Sequence, residues 1–120
     1  MTIISNIAVA LVALLHVYFL ILEMFLWTKP TGLRTFKLTP DVAQASKTLA
    51  ANQGLYNGFL AAGLLCGLLS PDGGYAFKVF FLGCVVVAGI FGAFTVSRKI
   101  LWVQALPGVV ALGLVMMAGG

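Results

Sequence analysis

The chain has 120 residues, 62% of them hydrophobic and only 8% charged, with a mean hydropathy of +1.11. A soluble domain carries about 25% charged residues, so a water-soluble globule is excluded and an integral membrane protein is indicated. The formal net charge of +4 would suggest a nucleic-acid partner in a soluble protein; here no nucleic acid is expected, because the basic residues fall where membrane topology places them. A bilayer core of about 30 Å takes about 20 helical residues to cross, and four stretches qualify, residues 3–27, 49–69, 77–96 and 101–118. A single transmembrane domain over residues 1–120 is expected, with little chain left for anything else.

The first segment is almost wholly apolar, yet it carries His16 and, seven residues on, Glu23. An ionisable residue inside a span costs about 2.5 to 3.5 kcal/mol on translocon scales and normally faces protein or a wet cavity, which makes Glu23 the first functional candidate. The segment lacks the basic start and small-residue cleavage site of a secretory signal, and is expected to stay in the mature protein. Thr28-Lys-Pro-Thr-Gly32 combines a charge, a proline and a glycine that should end the helix near Trp27.

The next helix is expected to begin before the membrane, with Thr39 as N-cap, Pro40 at the first helical position and Asp41 at the positive end of the helix dipole. Gln44 and Lys47 then lie on its cytoplasmic turns, and Asn52, Gln53, Tyr56 and Asn57 on its first membrane turns. Ser70-Pro-Asp-Gly-Gly74 reads as a tight turn, so the second and third spans should be antiparallel neighbours. The link around Arg98 and Lys99 is shorter still, and Pro107 is expected to bend the fourth span. The fold class is therefore all-α, an integral membrane antiparallel four-helix bundle.

Lys29, Arg34, Lys37 and Lys47 lie between spans one and two, Arg98 and Lys99 between spans three and four, and Lys78 alone on the other side. Loops rich in Lys and Arg stay in the cytoplasm, so both termini should be on the non-cytoplasmic side of a multi-pass protein, most simply one of a bacterial cytoplasmic (inner) membrane. Cys66 and Cys84 fall within spans at no metal or redox spacing and read as packing residues. Gly54 with Gly58, and Gly63 with Gly67, form Gly-x-x-x-Gly pairs. Such pairs let helices approach closely within one chain, and the same pattern admits a homodimer.

With that topology, the polar residues converge at one depth. Glu23 lies about one turn inside the cytoplasmic end of span one, level with Asn52, Gln53, Tyr56 and Asn57 on span two, Gln104 on span four and Thr95 on span three. At 100° per residue His16 and Glu23 are only about 20° apart around their helix and roughly 10 Å apart along it. The bland reading is that these groups glue four helices together by interhelical hydrogen bonds, and His16 alone is more often a buried, bonded histidine than a ligand. The functional reading makes Glu23 and His16 an acid/base pair beside a ligand pocket of Asn52, Gln53, Tyr56, Asn57 and Gln104; glue rarely requires an acid. One His and one Glu are too few for a metal site, and no cofactor is expected. Trp27 and Trp102 fit an interfacial aromatic belt.

The stretches His16-Val-Tyr-Phe-Leu-Ile-Leu-Glu-Met-Phe-Leu-Trp27, Ala51-Asn-Gln-Gly-Leu-Tyr-Asn-Gly-Phe-Leu-Ala61, Val87-Ala-Gly-Ile-Phe-Gly-Ala-Phe-Thr95 and Gln104-Ala-Leu-Pro107 resemble the domain of unknown function 1304 family of small bacterial and fungal membrane proteins. The resemblance implies a four-helix membrane protein without an assigned activity; some members carry an epimerase label. The family's characteristic polar residues match His16, Glu23, Asn52, Gln53, Asn57 and Gln104.

Three functions compete. A membrane protein binding a small-molecule or lipid-like ligand, in one form a proton-coupled carrier, rests on the polar layer. An isomerase or epimerase would use Glu23 as acid/base, with Asn57 or Gln53 bonding a developing oxyanion. A structural or accessory subunit would use the same layer only to hold helices together. Beyond the lipid bilayer, such a ligand and a second copy of the chain in a homodimer, the sequence names no partner.

Overall fold

A computed structural model describes residues 1–119. Among these every regular element is helical: α1 (Thr2–Met24), α2 (Pro30–Phe36), α3 (Pro40–Leu69), α4 (Tyr75–Thr95), a π-helical turn at Leu101–Ala105, and α5 (Leu106–Ala118). Three helical stretches are long and apolar enough to cross a membrane, Thr2–Met24, Tyr75–Thr95 and Leu101–Ala118. The helix α3 is the longest, 30 residues or about 45 Å, but is not among the three. The polar Asn52, Gln53 and Asn57 dilute the apolar stretch 49–69 that was expected to span. Side chains such as Ile3, Leu69, Phe91 and Phe94 stand exposed on the helix surfaces, as helices that meet lipid on the outside require.

The chain divides into two compact units, Leu14–Ala61 and, separately, Met1–Ala13 together with the stretch from Ala62 onward. In the Leu14–Ala61 unit, the end of α1 runs antiparallel to the start of α3. A Cβ on Gly54 would lie 2.6 Å from Met24 Cγ and 3.2 Å from Glu23 Cβ, and one on Gly58 2.8 Å from Leu20 Cδ1, so this Gly-x-x-x-Gly pair is what lets the two helices close.

α1 ends three residues short of the expected Trp27: the N–H groups of both Phe25 and Leu26 turn back to the Ile21 carbonyl, at 3.0 and 3.1 Å. Of the expected breaker at Thr28–Gly32, Thr28 and Lys29 do lie in the turn after α1, but Pro30 to Gly32 begin a further helix. Pro30 sits in the first turn of α2, where its missing N–H costs nothing, and Lys37 in the left-handed conformation (φ 55°) ends it. Trp27, freed from α1, packs its ring 4.8 Å from that of Phe36 and donates its indole N–H to Ser46 Oγ at 3.0 Å. The start of α3 follows expectation: the Val42 N–H is donated to Thr39 Oγ1 at 3.3 Å, and Ala43 N–H to the Thr39 carbonyl at 3.0 Å.

In the other unit, α3 and α4 are joined by the tight turn at Ser70–Gly74. Gly73 N–H bonds the Ser70 carbonyl at 3.1 Å, and Gly74 N–H bonds Asp72 Oδ1 at 2.9 Å. These bonds, first that of Gly74 and then one from Ser70, hold the Asp72 carboxyl below its ordinary range. Gly74 is in the left-handed region (φ 65°), and a Cβ there would collide with the Gly67 carbonyl. One turn into α4, Lys78 is buried, its Nζ donating to Asn6 Oδ1 of α1 at 2.8 Å. α4 packs on the last segment through small residues. A Cβ on Gly89 would lie 2.6 Å from Ala105 N, and one on Gly108 2.9 Å from Val85 Cγ1. Ahead of Pro107 the helix widens rather than simply bending. Leu106 N–H reaches back five residues to the Leu101 carbonyl, a π-turn of the kind that relieves a helix at proline.

Candidate functional site

Glu23 lies in the last turn of α1, partly buried. Its Oε1 accepts a short hydrogen bond from Asn57 Nδ2 of α3, and Asn57 is itself buried. The bond exists because the glycines on either side of Asn57 in helical register, Gly54 and Gly58, bring α3 against Leu20, Glu23 and Met24. An amide is a suited partner here: it donates to the carboxyl without adding charge, and its backbone turn is fixed by the helix.

On its other side Glu23 borders an open cleft of about 320 Å³, shared with Met24, Phe25, Trp27, Thr28, Lys47, Thr48 and Ala51. The wall is built by the turn after α1 and by one face of α3, where Lys47 and Ala51 are one helical turn apart. Trp27 is held by its bond to Ser46 and its contact with Phe36, so that wall of the cleft is anchored. The cleft therefore combines an acid, a base, two hydroxyls and apolar flanks.

Of the residues the sequence singled out, Glu23 and Asn57 are brought together. His16 is fully buried in α1, its ring edge-on to Phe19 at a centroid distance of 5.3 Å, and it does not border the cleft. Asn52, Gln53 and Tyr56 are exposed on α3, and none of them lines the cleft. Gln104 belongs to the π-turn, partly buried. Thr28, Lys47 and Thr48 were not among the candidates: Lys47 reads in the sequence only as a topology charge, and Thr28 only as part of a helix stop. The i, i+4 relation of Lys47 to Ala51 puts those two on one face of α3; no local pattern marks Thr28 or Thr48.

An all-helical chain with three spans apolar enough to cross a bilayer, and one carboxyl held by an amide at the end of a span, defines a small helical membrane protein. The chain belongs to the family described as "Protein of unknown function (DUF1304)", whose model matches residues 10–116. It is similar to "Uncharacterized protein YpaA" of Lactococcus lactis subsp. lactis (strain IL1403), 30% identical over 114 residues, which cover 93% of this chain and 96% of that one. No solved structure matches.

Proposed function

We propose that this protein is a four-span protein of a bacterial cytoplasmic membrane, with both termini outside, that binds a small or lipid-like molecule in the cleft beside Glu23, at the cytoplasmic boundary. The fourth span in this reading is the apolar part of α3, residues 49–69. Within it Asn57 is bonded to Glu23 rather than exposed to hydrocarbon, while the exposed Asn52 and Gln53 lie in its first turn, at the boundary where polar groups still meet water. The orientation is supported by six basic residues flanking the two loops on one side against Lys78 alone on the other.

The observation that carries the reading is the conjunction of the Glu23–Asn57 bond with the cleft on the open side of the same carboxyl. A carboxyl used only to glue helices would be closed in by its partners. This one has a single donor from the protein among the described residues and borders space within the size range of ligand sites, about 300 to 1,000 Å³. Asn57 orients the carboxyl and Glu23 contacts the ligand; as an acid it can also exchange a proton with it, which is what a proton-coupled carrier would need.

Native mass spectrometry of the purified protein, released from detergent, tests this. The wild-type chain should retain a bound small molecule or lipid, and Ala51→Phe, which fills the cleft, should lose it while keeping its helical circular dichroism. Equal retention by both proteins would refute the cleft as the site. Single cysteines at Thr31 and Asp72, in a background without Cys66 and Cys84, should label from opposite sides of the membrane.

A further inference from the structure

The cleft is lined by a carboxyl and an ammonium that are not joined. Glu23 and Lys47 both line it, yet among the described residues they form no ion pair, and no protein group is bonded to the Lys47 ammonium. An acid and a base on the walls of one small cleft, each free to meet a ligand, suit a molecule that carries the opposite pair of charges. Thr28 and Thr48 add hydroxyls that can donate to an anionic oxygen, while Met24 and Phe25 give the cleft an apolar flank. At about 320 Å³ the space stands at the small end of ligand sites, the size of a headgroup rather than of a whole drug-like molecule.

Resting on the ligand-binding reading above, we infer that the cleft takes a small zwitterion, with a primary ammonium at Glu23 and a phosphate or carboxylate at Lys47 and the threonine hydroxyls. A phosphoethanolamine group has this chemistry, either as the headgroup of an aminophospholipid or as a free molecule. Asn57 is the positioning residue: its amide occupies Glu23 Oε1, which leaves the other carboxyl oxygen to the ammonium. The anchored Trp27 lines the cleft and its emission reports on occupancy.

With Trp102→Phe, Trp27 is the sole tryptophan of the chain. The protein is placed in nanodiscs of phosphatidylglycerol, which has no amine, and titrated separately with phosphoethanolamine, ethanolamine and inorganic phosphate while Trp27 emission is followed. Phosphoethanolamine should bind about tenfold or more tightly than either half, since it makes the charged hydrogen bonds of both. Lys47→Gln, which breaks no bond in the fold, should reduce phosphoethanolamine to the affinity of ethanolamine. If the protein in phosphatidylethanolamine nanodiscs already shows the shifted emission and no longer responds to the free compound, the source is the lipid headgroup; a full response in both lipids makes it the free molecule. Binding of phosphoethanolamine no tighter than its halves, or unchanged by Lys47→Gln, overturns the zwitterion. In that case the cleft reading survives if Ala51→Phe still loses the molecule retained by the wild type, and falls with it if nothing was retained.

Discussion

Replacing Gly89 by alanine should separate two effects that a glycine in a membrane helix can have. The added Cβ would lie 2.6 Å from Ala105 N and 2.8 Å from both Ala105 Cα and Cβ. Those atoms belong to the main chain or are fixed to it, so they cannot swing away as the end of a long side chain can. Carbon contacts are most favourable near 3.5 Å, so α4 and the π-turn must part by roughly 0.7 to 0.9 Å. Overpacking of this kind costs about 1 to 3 kcal/mol, set against about 0.5 to 1 kcal/mol gained because alanine is the better helix former. Gly83→Ala is the control: its Cβ meets nothing within 4 Å, so it carries only the gain. Reversible unfolding by dodecyl sulfate in mixed micelles, followed by far-UV circular dichroism, should find Gly89→Ala less stable than Gly83→Ala by about 1 to 3 kcal/mol. Equal stability of the two variants would show that α4 and the π-turn do not pack at Gly89 in the membrane protein.

Three further outcomes are expected. Asn57→Leu removes the donor to Glu23 and should lower stability by about 1 to 3 kcal/mol; an unchanged unfolding midpoint would mean the bond carries no weight. Trp27→Phe keeps the ring against Phe36 but loses the bond to Ser46 Oγ, at a cost of about 0.5 to 1.5 kcal/mol, and Ser46→Ala added to it should bring little more if the two act through that bond. Asp72 has a folded-state pKa below its unfolded value of about 3.9. Its contribution is therefore present above about pH 4 and lost as pH falls through the folded value. Asp72→Ala should weaken the α3–α4 turn at pH 7 and make no difference at a pH below both values, measured as the unfolding midpoint; a loss that persists in acid would point away from the carboxylate.

The helices were legible because apolar runs of about 20 residues, a turn of Ser-Pro-Asp-Gly-Gly and an N-cap at Thr39 are local signals. A disturbance of the last span at Pro107 was legible too, as an expected bend, but not its form, since a proline can be met by a kink or by a wider turn. α2 was hidden because Pro30 and Gly32 argue against a helix interior, while the first turn of a helix welcomes proline; the deciding contacts are those of Trp27 with Phe36 and Ser46, which no local pattern contains. Glu23 and Asn57 were found by depth and helical angle. The same reasoning could not sort Asn57 from Asn52 and Gln53, because which edge of a broad polar face meets α1 is decided by Gly54 and Gly58, and by how closely they let the helices approach.

The bond from Lys78 to Asn6 bears on how the chain enters the membrane. The two residues are 72 positions apart, so α1 has left the ribosome long before α4 is made. A lysine arriving at the bilayer is costly to insert, less so near the end of a helix than at its centre, and here its partner is already synthesised. In the membrane-spanning reading the order of translation is then part of the folding problem: Asn6 is already made when Lys78 arrives, and Asn6→Leu should lower the integration of a helix whose lysine lies 72 residues downstream.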